Sequence, residues 1–400
     1  MRNLCDMHPL TGFKVVDFTQ SIAGPMCTQS LAALGAEVIK IEPPDGDAFR
    51  PLIDGAMYAA CNRGKKSVCV DLKMEEGINI VNELIAGADV VVESFRPGVM
   101  KRLGLGYDSV REYNSDVIYC SVTGFGQTGP HASMPAYDPI AQAMSGLMAA
   151  TGPKDGPPAR IGTSAVDYTT GVTASLLITS ALLAREMGGG GEYIDMSLFE
   201  QAAMMMGYWV AHYSVTENVP PRGGDGIYGF APYGVYTAGD QMEFYLACAS
   251  DKLFERLCDY LSLIELTTDD RFGSPGNRWA HRDELDNILT QAFEDYTRDT
   301  LVEALSSAGI PAGPVQDVGD LVEEDLHAAE RDLFVPTWNA HLEEKCQTTR
   351  MPFRYSEGQL DNLAPPRSKG TDTREILRGV GYSDSELDDL HARSVLSSVD

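Results

Sequence analysis

Positive charge is scarce in this 400-residue chain: 31 Lys and Arg stand against 58 Asp and Glu, a net charge of −27. Such a shell argues against nucleic acid or an anionic membrane as partner. Lysine is the scarcer cation, ten against 21 arginines. An acidic, lysine-poor surface is expected in a halophilic protein, where salt screens self-repulsion; an ordinary acidic cytosolic enzyme is the other reading. None of the eight cysteines forms a CxxC pair. That excludes a zinc ribbon or redox motif and leaves mostly buried, reduced thiols in a cytoplasmic protein. The first residues, MRNLCDMHPLTG, lack an apolar signal region. The most apolar helical stretch, Gly171 to Ala184, is too short and too rich in Thr and Ser to cross a bilayer.

Familiar catalytic signatures are missing as well. No G-x-G-x-x-G or P-loop follows the first strand, and Gly188–Gly191 lies between a helix and a strand, the wrong order for a phosphate cradle. There is no G-x-S-x-G elbow, and the histidines at 8, 131, 212, 281, 327, 341 and 391 show no metal spacing. Chemistry without metal or catalytic histidine is expected.

What is present is an alternation of strand and helix. Short apolar runs at 13–18, 37–41, 67–72, 88–92 and 117–122 are separated by amphipathic helices, including 74–86. This pattern predicts βαβ units and an α/β, Rossmann-like large domain with a mostly parallel sheet. Residues 138–188 read as helical around a Gly-Pro loop, followed by a strand at 192–196 and a helix over 198–214 with a methionine face expected in the core. The composition then changes. We expect a large domain over 1–208, a linker at 209–230, a small α+β domain at 231–330, and a linker and C-terminal return over 331–400.

Asp167 falls near the start of a long apolar helix, in ARIGTSAVDYTTG. A helix N-terminus stabilises an ionised carboxylate and lowers its pKa, so Asp167 could act as an anionic nucleophile in a dry pocket. An ordinary first-turn acid would look the same. Lys65, Lys66 and Lys73, and Arg96, Lys101 and Arg102, form two basic clusters, read either as an anion site or as solvated charge.

The segments VDFTQSIAGP (16–25), LGAEVIKIE (34–42), NRGKKSVCVDLK (62–73), VESFRPG (92–98), LGL (103–105), SVTGFGQTGP (121–130), Tyr137-Asp138-Pro139, DMSL (195–198), PYG (232–234) and GIPAGPV (309–315) occur in one order along the chain. Together they resemble the class III CoA-transferases, the family of formyl-CoA and carnitine CoA-transferases and α-methylacyl-CoA racemase. The resemblance implies that Asp167 is the nucleophile. It implies that Val70, Asp71, Leu72 and Lys73, then Ser94, Phe95 and Arg96, and Arg102, contact CoA, with Tyr137 and Asp138 also at the site. No tightly bound cofactor is implied; coenzyme A thioester is a substrate, and the other partner is a free carboxylic acid. The family architecture implies a ring-shaped chain in an interlocked homodimer. The racemase branch carries a histidine where Tyr137 stands, and a phenol is too weak a base for that role. Ile22 replaces the glutamine of formyl-CoA transferases, and their glycine-rich loop has no counterpart unless Gly223–Gly226 substitutes. Formyl and oxalyl substrates are therefore doubtful, and succinyl-CoA with a C4–C5 dicarboxylate (mesaconate, malate or citramalate) is the expected pair. Arg50, Arg160 and Arg222 are candidates for the second carboxylate. A 2-methylacyl-CoA isomerase and a non-catalytic CoA-binding protein are the rival readings.

Overall fold

The apolar runs of the first 200 residues become neighbouring strands of one sheet. The computed structural model describes residues 8–354 and 363–397. In chain order its first elements are β1 (Lys14–Phe18), α1 (Ala23–Ala33), β2 (Glu37–Glu42), α2 (Ala56–Cys61), β3 (Lys65–Val70), α3 (Glu75–Ala86), β4 (Val90–Glu93), α4 (Val99–Arg102), α5 (Tyr107–Val110), β5 (Ile118–Thr123), α6 (Asp138–Met144), α7 (Leu147–Ala150), α8 (Ala165–Glu186), β6 (Glu192–Ser197) and α9 (Leu198–Met205). The sheet order is β3-β2-β1-β4-β5-β6, with a two-residue strand, Leu396–Ser397, on the β3 edge. Every pairing from β3 to β6 is parallel; only the Leu396–Ser397 edge runs antiparallel. Strands covered on both faces are mainly apolar, and β4 and β5 are buried end to end.

The chain divides into two units. Among the described residues, the first is drawn from 1–145, 162–205 and 328–400, and the second from 146–161 and 206–327. The core of the first is built from β-strand residues such as Val16, Ile39, Val68 and Val91, with Ile80, Val81, Leu84 and Ile85 from the inner stripe of α3. On α1 all eleven residues are buried. Small residues permit this. A Cβ on Gly171 of α8 would stand 2.6 Å from the Ala23 carbonyl oxygen and 2.8 Å from Met26 Cβ, so the two helices touch through the absent side chain. α8 has 22 residues and is long and apolar enough to cross a membrane by length and composition. It is longer than the Gly171–Ala184 stretch suggests, and its face with Val166, Thr170, Ala174, Ile178 and Leu182 is buried, as in a core helix.

The second unit holds a three-stranded antiparallel sheet of Tyr233–Thr237, Glu243–Ala247 and Ala312–Pro314. Helices Asp251–Tyr260, Arg282–Phe293 and Arg298–Ser307 add Phe254, Leu257, Leu289, Phe293 and Leu305 to its core. The helix expected over 198–214 is two helices, Leu198–Met205 and Gly207–Thr216. The expected methionine core face is only partly so: Met206 is buried, whereas Met204 is 64% exposed. The seven described cysteines are free thiols, six of them buried; Cys5 lies outside the described residues.

Candidate active site

In a sheet ordered 3-2-1-4-5, β1 and β4 are neighbours whose connections leave in opposite directions, and ligands bind in the crevice at their carboxyl ends. A cavity of about 190 Å³ lies there, lined by Gln20, Ser21, Ala23 and Gly24 after β1, Ser94, Phe95, Arg96 and Pro97 after β4, Tyr137, and Asp167. Thus Ser94, Phe95, Arg96 and Tyr137 are brought together with Asp167.

Buried charge fixes the β1 loop. Asp17 is wholly buried and accepts the Thr19 N–H at 2.8 Å, the Thr19 and Thr28 hydroxyls at 2.6 and 2.7 Å, and Lys65 Nζ at 3.1 Å. Lys40 Nζ donates to the Thr19 carbonyl at 2.6 Å and pairs with Asp47 at 3.0 Å. Burial works against the Asp17 carboxylate, but Lys65, Lys40 and the two threonines hold its pKa below the usual range. The Lys65 ammonium is desolvated and titrates near 8 despite Asp17. The loop then passes through Ser21, whose φ of 69° is left-handed for a residue with a side chain. That strain persists because the contacts on either side over-determine it.

Asp167 sits in the first turn of α8 and is 6% exposed. Its pKa is not lowered, as a helix N-terminus predicts, but raised to about 7, by burial and then by the Asp138 charge. The reason is structural. Asp138 is the first residue of α6, and its Oδ2 accepts the N–H groups of Val166 and Asp167 at 2.8 and 3.1 Å. Gln142 Nε2 donates to its Oδ1 at 2.5 Å. The first-turn donors of α8 therefore serve Asp138, leaving Asp167 with a like charge beside it and little solvent. The buried Asp138 side chain supports the helix rather than facing the cavity.

The remaining predicted residues fall into two groups. Val70 is fully buried, so only its backbone can meet a ligand. Asp71 and Leu72 are half-buried at the end of β3, and the Lys73 N–H donates to Asp71 Oδ1 at 2.9 Å. Lys73 and Arg96 are exposed just past the carboxyl ends of β3 and β4, and Lys101 and Arg102 are exposed on α4; among the described residues these four make no ion pair. The lysine cluster expected from sequence is dispersed, because Lys65 is bound to Asp17 and Lys66 to Glu37. Arg50 does not reach the Asp167 cavity. Its Nε and Nη2 donate to Glu42 at 2.7 and 2.6 Å, within a separate cavity that also includes Tyr58 and Lys369. Burial and then that guanidinium dominate Glu42, whose pKa falls to about 2. In the second unit Arg222 donates to the carbonyls of Pro153, Ala149 and Gly156, and Arg160 to that of Ile161. Asp225, within the Gly223–Gly226 loop, accepts the Val235 N–H and pairs with Arg282. Gln20, Ser21, Met134 and Leu198 also line the Asp167 cavity. For Gln20 and Ser21 the available signal was their place after the first strand.

Several known proteins are similar to this chain. An acetyl-CoA:oxalate CoA-transferase of Acetobacter aceti is 42% identical over 82% of this chain and 85% of its own length. A succinyl-CoA:glutarate CoA-transferase of Mus musculus is 34% identical over 98% and 91%. The crystal structure of a CAIB/BAIF family protein from Brucella suis superimposes with a TM-score of 0.83, at 35% identity, over 94% of this chain and all of the other. The first of these relatives bears the name of an oxalate enzyme, the substrate type that Ile22 is read against. The model of CoA-transferase family III matches residues 10–373, and with these relatives it establishes that the chain belongs to that family and is a CoA-transferase.

Proposed function

We propose that this enzyme moves coenzyme A from an acyl-CoA, succinyl-CoA foremost, to a small dicarboxylic acid of the C4–C5 class such as mesaconate, malate or citramalate, through covalent intermediates on Asp167. The observation that carries the reading is a desolvated carboxylate at the switch-point crevice, with exposed, unpaired cations at the adjoining strand ends.

In the first step the Asp167 carboxylate adds to the thioester carbonyl. The C–S bond breaks, giving a mixed anhydride and CoA thiolate. The thiolate then attacks Cγ of Asp167, releasing the donor acid and leaving an aspartyl-CoA thioester. The acceptor carboxylate repeats these steps in reverse and leaves as its own CoA ester, with Asp167 restored. Splitting one exchange in this way lowers each barrier. A cavity of about 190 Å³ suits an acyl end and limits the water that would hydrolyse the anhydride. Ala23 and Gly24, at the dipole-positive start of α1, stand in its wall, where a developing oxyanion would be stabilised. Lys73, Arg96, Lys101 and Arg102 would take the CoA phosphates, Arg by its fork and Lys as a point charge.

Mass spectrometry of the protein incubated with succinyl-CoA and then hydroxylamine or borohydride tests this. Modification at Asp167, lost in Asp167→Ala, is expected. An unmodified Asp167 together with deuterium exchange into a 2-methylacyl-CoA would instead establish the isomerase.

A further inference from the structure

The β4 loop that lines the Asp167 cavity has a second cavity beside it, of about 310 Å³, lined by Glu93, Arg96, Lys101, Tyr107, Ser121, Gln127 and Tyr193 among others. Glu93 is the last residue of β4 and is 4% exposed. Its Oε2 accepts the Phe95 N–H at 2.8 Å, and the nearby Ser121 hydroxyl favours its ionised form. Tyr193 Oη in turn donates to Ser121 Oγ at 3.2 Å. From the opposite side the Gln20 N–H donates to Ser94 Oγ at 2.9 Å. The loop carrying Ser94, Phe95 and Arg96 is thus pinned between the β1 loop and Glu93, and Arg96 lines both cavities.

We propose that Glu93 is a positioning residue: as a carboxylate it holds the Ser94–Arg96 loop through the Phe95 N–H, and its protonation loosens that loop and weakens CoA binding. The inference rests on the reading of that loop as a CoA contact.

A carboxylate accepts an N–H bond more strongly than a neutral carboxyl, and the second cavity gives this buried group a route for its proton. The charged and titratable neighbours do not fix it in one state. Tyr119 and Cys120 of β5 and Tyr193 and Asp195 of β6 are close enough to interact with it electrostatically, and none of them is a cation. Arg96, Lys101 and Asp108 line the same cavity without an ion pair to Glu93. Burial dominates, Ser121 and the Phe95 amide oppose it, Asp195 adds to it, and Glu93 titrates near 7.

The test is calorimetric titration of free CoA between about pH 5.5 and 8.5 into Asp167→Ala and into Asp167→Ala/Glu93→Gln. The nucleophile is absent from both and the ionisations of CoA are common to both, so the ratio of their dissociation constants isolates Glu93. On acidification through about 7, affinity should fall by about fivefold more in the single variant than in the double one, the worth of one charge-assisted bond. Ser121→Ala in the Asp167→Ala background should raise the midpoint, because it removes a nearby hydroxyl dipole that favours the ionised form. This arm stands even where Glu93→Gln fails to fold. Parallel pH dependences, or an unmoved midpoint in Ser121→Ala, would overturn the proposal. CoA binding that follows pH as described without any aspartyl adduct in the parent enzyme would overturn the transfer mechanism alone. No CoA binding at any pH would overturn both.

Discussion

Asp167 illustrates how far a residue's chemistry departs from what its position in a helix suggests. A carboxylate at a helix start with its own N–H donors free would be acidic; this one has those donors bound by Asp138 and titrates near 7. Attack on a thioester needs the ionised form, so kcat should rise as pH increases through about 7. Asp138→Asn keeps an oxygen for the Val166 and Asp167 amides and removes the like charge. It should therefore move the kcat midpoint down by about one unit, leaving the plateau within about threefold. A midpoint that stays near 7 would assign the whole shift to burial. The shift also has a stability side. An acid whose folded pKa is raised binds its proton more tightly in the native state. Stability is therefore lost as pH rises from the ordinary 3.8 toward 7. Raised reactivity at this position is tied to a cost in stability, the pattern found where function sets a residue's environment.

At the scale of elements, α1 and α8 carry the site, and their close approach is its mechanical basis. Gly171→Val would place side-chain atoms against the Ala23 carbonyl and Met26, neither of which can yield without moving α1. We expect a loss of about 2–4 kcal/mol in urea unfolding and a fall in kcat larger than the change in KM for the acyl-CoA, because the cavity wall moves with α1. A neutral Gly171→Val would show that the helices separate easily. The parallel strands were legible from sequence, since strands covered on both faces are continuous apolar runs, and observed bounds such as Glu37–Glu42 and Ile118–Thr123 shift by only a residue or two. The hairpin Phe334–Asn339/Glu344–Thr349 was not, because its second strand, EKCQTT, is too polar to stand out from a loop. Nor was the pairing of the cations. Nothing in NRGKKS says that Lys65 points to Asp17, 48 residues earlier, while Lys66 faces Glu37 on the surface. The alternation of β3 sends neighbouring lysines to opposite faces, but which face is buried depends on β2 and α1. Asp167 could be singled out only through resemblance. Its pKa depends on Asp138, 29 residues away and brought close by the turn into α8.

For the whole molecule, one face of α8 remains unexplained within a single chain. Val172, Leu176, Leu183 and Met187 lie within one stripe at helical spacing and are exposed, Met187 by 80%. The opposite stripe carries Asp167 and is buried. An exposed apolar stripe of this kind marks a surface able to meet a partner, and we propose that it joins two copies of this chain, the homodimer that the family resemblance implies. The net charge bears on the same point. In such a dimer two chains of −27 would repel each other, and apolar contact would have to outweigh a repulsion that salt screens over about 10 Å at 0.1 M. Sedimentation or light scattering should therefore give twice the 43.4 kDa chain mass. The dimer should tighten as KCl is raised, since screening removes repulsion while apolar burial persists. Leu176→Glu/Leu183→Glu places two further carboxylates in the stripe and should yield a folded monomer, with the parent's dimer partly restored by salt. A double variant that stays dimeric at every salt concentration would show that the stripe lies outside the interface and that some other surface joins the two chains.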